Sequence, residues 1–314
     1  MPPPTHPGPQ GARVSGDKFA SRATTRTHAT RRDLFLAAAV AAPACACGAC
    51  LQTAAGKAAY KRFFASALAT TMDGYEEEVG PRKAALFASG LAGLAAGPGR
   101  GRGRGHSLAV LDLGVGAAPN ARHLAGLVGP AGRVTGVDPN PFMFPYARAA
   151  AAEAGFLVAC GEEAAPQPGG GEAEGEGGGA APPSRPTFTT VLAPAESLPF
   201  PDASFDAVIA TLVLCSVASV PAALGEAARV LRPGGRLIFN EHTVADWAAA
   251  PLTRAAQGLF DPLQRALADG CHLTRDPVGA VGAAPGLDMV SVSRFVVPGM
   301  AFIGPHACGI AERV

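Results

Sequence analysis

The residues with the clearest capacity for chemistry begin at Leu108–Asn120, LAVLDLGVGAAPN. A short apolar run reaches Asp112, and a turn of small residues, Gly114, Gly116 and Ala118, follows at once. Glycine has no Cβ, so the backbone there turns tightly and lies close to a ligand. An apolar strand, a glycine turn and a helix are how many α/β domains hold a nucleotide. The spacing G-x-G-x-x-G of dinucleotide sites would need glycine where Pro119 stands, which disfavours a nicotinamide enzyme. The turn follows the looser G-x-G-x-G/A form, with Ala118 as its third small residue. A second acid, Asp138, ends the apolar run Arg133–Val137, 22 residues after Gly116. An acid at the end of a second strand accepts hydrogen bonds from ribose hydroxyls. Dinucleotide enzymes share that device, and an Asp-Pro turn is its structural alternative. Glu196 stands in Ala195–Phe200, AESLPF, where a third strand's turn approaches an adenine ring. For proton transfer the candidates are His242, His272 and His306, because histidine titrates near neutrality. His242, at the end of an expected strand, is the best placed as base or acceptor-positioner. A structural hydrogen-bonding role is the alternative for each.

The elements that must position these groups follow from the apolar pattern. Strands are expected at 108–113, 133–137, 188–192, 205–212 and 235–241, with final strands at 288–297 and 305–312. Helices are expected at about 118–127, 142–154, 220–231 and 252–268. The alternation predicts an α/β fold, a mostly parallel sheet with helices on both faces. Tyr60, Phe63, Phe64, Leu68, Leu86, Phe87 and Leu91 recur at helical spacing within 51–96, and the charged stretch Asp73–Arg82 is expected to separate two helices. GPGRGRGRG at 97–105 reads as a flexible basic linker, with the catalytic domain at 107–314. The Gly, Pro, Glu and Ala tract at 160–186 cannot bury a core and reads as a disordered surface insertion.

Composition sets bounds. The 314 residues carry a net charge of +1, which suits one catalytic domain with appendages and gives no support to a nucleic-acid partner. The 40 glycines and 29 prolines inflate small-residue motifs by chance, so lone glycines carry little weight. Residues 1–50 carry +4 and the remainder about −3. This Arg-, Ser-, Thr- and Ala-rich start looks like an organelle transit peptide, and Thr30–Phe35 followed by an apolar stretch resembles a twin-arginine signal. That stretch, about 15 residues with Pro43 inside it, is short of the roughly 20 a membrane span needs. The expectation is a plastid protein, in the stroma or thylakoid-associated, with cytoplasm or an endomembrane surface as the alternative, and with membrane-surface association open. Of the seven cysteines, Cys45, Cys47 and Cys50 lie in the N-terminal segment without a histidine or fourth cysteine. Cys160, Cys215, Cys271 and Cys308 form no C-x-x-C pair, so neither a disulfide framework nor a metal site is expected in the body.

Further motifs bear on the ligand. A-E-x-L-P-F is followed by D-x-S-F-D at Asp202–Asp206, and L-R-P-G-G at Leu231–Gly235 makes a sharp turn into the next strand. On these segments the body resembles class I S-adenosylmethionine (SAM)-dependent methyltransferases. More narrowly it resembles the methyltransferase-like 7 group, whose animal members methylate small thiols. The narrower likeness rests on T-L-V-L-C-S-V (Thr211–Val217), V-L-R-P-G-G (Val230–Gly235), Glu241-His242, D-G-C-H-L-T-R-D (Asp269–Asp276) and G-P-H-x-x-G (Gly304–Gly309), within roughly residues 75–314. The departures are Ala118 where glycine is usual, Val115 where cysteine or serine is common, and Pro194 where many relatives have aspartate.

The resemblance implies a seven-stranded Rossmann-like sheet with an antiparallel last strand. SAM is then the cofactor, held by Asp112, Gly114, Gly116, Ala118, Asp138 and Glu196, with the free amides of helix 118–127 toward the methionine carboxylate. The acceptor is a small molecule, a thiol first, with a quinone, phenol or lipid-like molecule as the second reading and an inactive SAM-binding scaffold as the third. A base such as His242 would help a thiol ionise. Cys215 and Cys271 read as small core residues, since methyl transfer needs no covalent intermediate.

Overall fold

The computed structural model describes residues 53–94, 107–159 and 185–314. The expected targeting segment, the 97–106 linker and all but Arg185 and Pro186 of the insertion lie outside the described residues, as do Cys45, Cys47, Cys50 and Cys160.

Among the described residues six parallel strands form most of the sheet, and five of them carry the fold. β1 (Ala109–Leu113) is buried at every position, and β2 (Arg133–Asp138) at every position after Arg133. Near-continuous apolar runs are what a parallel sheet covered on both faces requires. β4 (Thr187–Leu192) pairs with β2, while β5 (Phe205–Thr211) pairs with β1 and with β6 (Leu231–His242), all in parallel. A two-residue edge strand, β3 (Leu157–Val158), extends the sheet beyond β4, so it has eight strands where seven were expected. Beyond β6 the chain adds β7 (Leu287–Val296) at the edge and inserts β8 (Pro305–Arg313) between them, antiparallel to both. The order is β3-β4-β2-β1-β5-β6-β8-β7. The predicted α/β class and the antiparallel last strand are therefore both present.

The helices divide between the faces. α1 (Ala54–Thr71) and α2 (Asp73–Leu91) contribute Ala65, Phe87 and Leu91 to the core on one face, together with α4 (Phe144–Glu153) through Ala147 and Ala151. α5 (Val220–Val230) and α7 (Pro277–Gly282) cover the other with Ala223, Leu224, Ala227 and Val281. α6 (Pro251–Leu267) joins β6 to the loop that leads into α7. No helix among the described residues is long and apolar enough to cross a membrane.

Three expectations change. The charged stretch Asp73–Arg82 is the first half of α2, and the break between the N-terminal helices is Met72 alone. Of its charges, Glu76 is buried and pairs with Lys83 just beyond the stretch, while Asp73, Glu77, Glu78 and Arg82 are exposed. The helix expected at 118–127 is reduced to α3 (Ala121–Leu124). Ala118 has φ 56°, the Asn120 side chain turns to Asp112 instead of capping α3, and the Leu127 and Val128 amides both close on the Leu124 carbonyl. One turn of helix has no cooperative stability of its own, so tertiary contacts hold it. Finally, L-R-P-G-G lies within β6: Phe205 pairs with Leu231 and Ala207 with Arg236, so the intervening residues loop out as a bulge, with Gly234 at φ 74°.

Candidate active site

The parallel strands all end at one edge of the sheet, where doubly wound folds bind ligands. At that edge β1 delivers Asp112 and the glycine turn. Gly114 has φ 63°, and a Cβ there would run into the Val213 side chain. Gly114→Ala is therefore expected to cost about 2 kcal/mol, the sum of left-handed strain and a displaced neighbour. Urea unfolding checks this, and a variant as stable as the wild type would show that the turn relaxes freely. Ala118 is held in the left-handed region as well, with its amide on the Val115 carbonyl at 2.8 Å. Its methyl group is buried, which offsets part of that strain, so the turn keeps the small-residue geometry without the usual glycine.

Asp138, at the end of β2, ties the turn down. Its Oδ2 accepts from the Gly116 amide at 3.0 Å and its Oδ1 from the Asn140 amide at 2.8 Å. Burial raises this carboxyl above the ordinary aspartate range against the pull of those two amides. Asp112 is fully buried; its Oδ1 accepts from Asn120 Nδ2 at 2.9 Å, while its Oδ2 has no partner. Burial pushes its pKa up to about 7. An unpaired buried carboxylate is costly and fits a site meant to meet a cationic ligand. α1 lies across this corner: Lys61 Nζ donates to the Pro139 carbonyl at 2.9 Å, and Asn140 Nδ2 donates to the Lys61 carbonyl at 3.0 Å. The residues present therefore fit SAM. Asp112 suits its ammonium and Asp138 its ribose hydroxyls, with Gly114 and Gly116 giving close backbone approach.

Glu196 is placed elsewhere. Its Oε1 accepts from the Ala218 and Ser219 amides at 2.6 and 3.2 Å, which fixes the entry to α5. The methionine carboxylate also loses its expected partner, because α3 is too short to present a helical N-terminus.

The second half of the edge is built by β6, β8 and two loops. Val213 and Leu214, on the loop after β5, donate to Glu241 Oε1 at 2.8 and 3.0 Å. Glu241 Oε2 is buried without a partner, and burial pushes its pKa up to about 7. Next to it, His242 Nε2 meets Cys271 Sγ at 2.9 Å. The Cys271 thiol is pulled down to about 4 by the hydrogen bond from Cys215 and then by His242, against its burial. Cys215 is pushed well up in consequence. Burial pulls His242 down, but Cys271 more than reverses that, so the ring is held above the ordinary histidine value. Cys215 and Cys271 are buried, as core residues would be, yet they gather around His242 in a polar cluster that spacing did not reveal.

The other two histidines separate. His306 pairs in register with His242 across β6 and β8, with ring centres 6.4 Å apart. Its Nδ1–H donates to the Gly304 carbonyl at 2.9 Å, and burial pushes its pKa down to about 4, so it stays neutral. His272 lines an open cavity of about 540 Å³ with Ser216, Gly270 and Arg275. It sits 3.7 Å from Asp261. Burial, with Arg275 and Arg265 nearby, lowers it.

Ten buried side-chain atoms among the described residues lack a partner, and seven of them mark this edge: those of Asp112, Asn120, Asn240, Glu241, His242, Thr243 and His306. Sequence reasoning missed Glu241 as a site residue, although it stands beside His242. It also missed Asn120 and Asn140, whose roles depend on contacts with Asp112 and Asp138.

Comparison with known proteins agrees with this geometry. Residues 174–239 match the family described as "Methyltransferase domain". The chain is 32% identical over 170 residues to human thiol S-methyltransferase TMT1B, covering 54% of this chain and 56% of that protein. It is 29% identical over 246 residues to human thiol S-methyltransferase TMT1A, covering 76% of this chain and 81% of that one. A third relative is the ubiquinone/menaquinone biosynthesis C-methyltransferase UbiE of Hahella chejuensis, 34% identical over 132 residues and 42% of each chain. The chain thus spans about half the length of the first of these relatives. The parallel sheet, the glycine turn and the two buried acids thus frame a chain whose residues 174–239 match a methyltransferase domain.

Proposed function

We propose that this protein transfers a methyl group from SAM to a small thiol. The observation that carries the reading is the acidic corner at the ends of β1 and β2. Asp112 keeps a buried oxygen free for a cation, and Asp138 is locked to both the glycine turn and Asn140. SAM, when bound, supplies a methyl group already activated on a sulfonium sulfur, so the chain's work is alignment of an acceptor at about 3–3.5 Å and exclusion of water. Val213 joins the two halves of the site: it packs against Gly114 and donates to Glu241, with Cys215 two residues on. His242, buried beside Cys271, is the polar group that positions the acceptor. The thiol acceptor is supported by the two human relatives, which are named for that activity and align over the longer spans.

A second reading, methylation of a quinone or phenol, is supported by the UbiE relative. Calorimetry with SAM followed by a radiolabelled methyl-transfer screen separates them. The expected result is SAM binding and turnover of thiols at least tenfold above phenols and quinones. Turnover confined to phenols or quinones moves the acceptor to oxygen or carbon, and no SAM binding at millimolar concentration overturns both readings.

A further inference from the structure

We propose that Cys215, His242 and Cys271 form a binding site for one soft divalent cation of the zinc type, with a fourth coordination position open to the acceptor thiol. The second clause rests on the thiol reading above; the first does not. The three residues come from three places in the chain: the loop after β5, the last residue of β6, and the loop after α6. Folding brings Cys215 Sγ, His242 Nε2 and Cys271 Sγ within 4.8 Å of one another. One ion with Zn–S bonds of about 2.3 Å and a Zn–N bond of about 2.0 Å would be held by such a set once the His242 Nε2–Cys271 Sγ contact of 2.9 Å opens by about half an ångström. Two sulfurs and one imidazole are the donors that favour zinc over magnesium or calcium.

The surroundings fit an ion better than a resting core. All three side chains are buried, at 4, 3 and 8% exposure, where two free thiols and an imidazole have little reason to converge. Gln264 Nε2 points at Cys271 Sγ from 3.7 Å, a donor aimed at sulfur as if at a thiolate. Cys215 Sγ, Cys271 Sγ and His242 Nε2 converge within 4.8 Å, so a cation between them would meet two thiols at once. A dication lets both ionise, releasing their protons to water.

Three protein ligands mark an open site, since structural zinc takes four. The flanking residues Ser216, Gly270 and His272 line the 540 Å³ cavity, which gives a small molecule a way in. A thiol arriving there would bind the metal as thiolate and lose its proton to water. The cluster also adjoins the cofactor corner. Val213, two residues before Cys215, packs on Gly114, and Asp269, two before Cys271, acts electrostatically on Asp138.

The test titrates the metal-stripped full chain with cobalt(II). One equivalent should bind with a near-ultraviolet thiolate-to-cobalt charge-transfer band. Cys215→Ser, Cys271→Ser and His242→Ala should each weaken cobalt binding at least tenfold. Cys308→Ser and a combined Cys45→Ser, Cys47→Ser, Cys50→Ser variant should leave it unchanged. Urea midpoints identify any variant that fails to fold. A wild-type chain without the band, or a band that survives Cys271→Ser, overturns the metal site. So does a band lost from the N-terminal variant. Thiophenol added to the cobalt form should intensify the band; an unchanged spectrum overturns the open position for the thiol. Calorimetry with SAM on the same preparation keeps the readings apart. SAM binding without cobalt sinks this proposal alone, and cobalt binding without SAM sinks the methyltransferase reading alone.

Discussion

Lys83→Met is expected to destabilise the protein by about 3–5 kcal/mol in urea unfolding at neutral pH, the range for breaking one side of a buried ion pair. Lys83, on α2, is completely buried, and its Nζ lies 2.6 Å from Glu76 Oε1, about two turns earlier on the same face of the helix. Glu76 Oε2 in turn lies 3.5 Å from Arg122 and 3.9 Å from His123 on α3. The pair therefore clamps α2 onto the short helix that follows the glycine turn. Removing the ammonium leaves a buried carboxylate with only the half-exposed Arg122 and the His123 ring nearby. The double variant Glu76→Gln, Lys83→Met should be more stable than Lys83→Met, because it removes the stranded charge. The pH dependence has a definite sign. Burial pushes the Glu76 carboxyl up, but His123, Lys83 and Arg122 more than reverse it, so its folded pKa is below its unfolded one. Its contribution is thus present above the unfolded value and lost as pH falls through the folded value. In Lys83→Met one of those partners is gone and the carboxyl protonates earlier. The gap between variant and wild type should therefore narrow as pH falls through the carboxylate range. A loss under 1 kcal/mol at neutral pH would show that Arg122 and His123 hold Glu76 unaided.

What could be read before the structure was what depends on local chemistry. The glycine turn was legible because left-handed backbone at Gly114 and Gly116 demands a residue without Cβ. Asp138 was legible because its place at the end of a second strand follows from strand order alone. The parallel sheet was legible from apolar runs, and most strand limits fell within a residue or two. The misreadings arose where long-range contacts decide. The charged stretch Asp73–Arg82 looked like a break between helices, but Glu76 within it is buried and paired with Lys83, and α2 runs through. Glu196 sits in a motif suggesting a ligand, and its hydrogen bonds to the amides at the start of α5 were not foreseen. Cys215, His242 and Cys271 are separated by 27 and 29 residues, a spacing with no meaning until β5, β6 and the loop after α6 converge. The fold was thus largely legible, the glycine turn and Asp138 with it, and the cluster around His242 hardly at all.

Asp138→Ala is expected to weaken SAM binding about 100-fold, or about 3 kcal/mol, by calorimetry. Two losses add to reach that figure. The first is the acceptor for the ribose hydroxyls, a hydrogen bond to a charged group of about 1.5–3 kcal/mol. The second is organisation of the turn itself: the same carboxylate holds the Gly116 amide at 3.0 Å and the Asn140 amide at 2.8 Å. Without it the glycine turn is no longer tied to the end of β2, and ordering it must be supplied by the ligand. The variant Asp138→Asn separates the two contributions. Its side-chain oxygen can still take one amide, so the turn stays partly tied, while the charge that favours the ribose is gone. Its affinity should fall between wild type and alanine. The proposed site gives the two acids different parts of SAM. Asp112→Asn, which removes the charge facing the ammonium, should weaken SAM but barely affect 5′-methylthioadenosine, which lacks the amino-acid moiety. Asp138→Ala should weaken both ligands alike. An Asp138→Ala protein that binds SAM within threefold of wild type would place the ribose elsewhere and leave Asp138 as a structural tie for the turn.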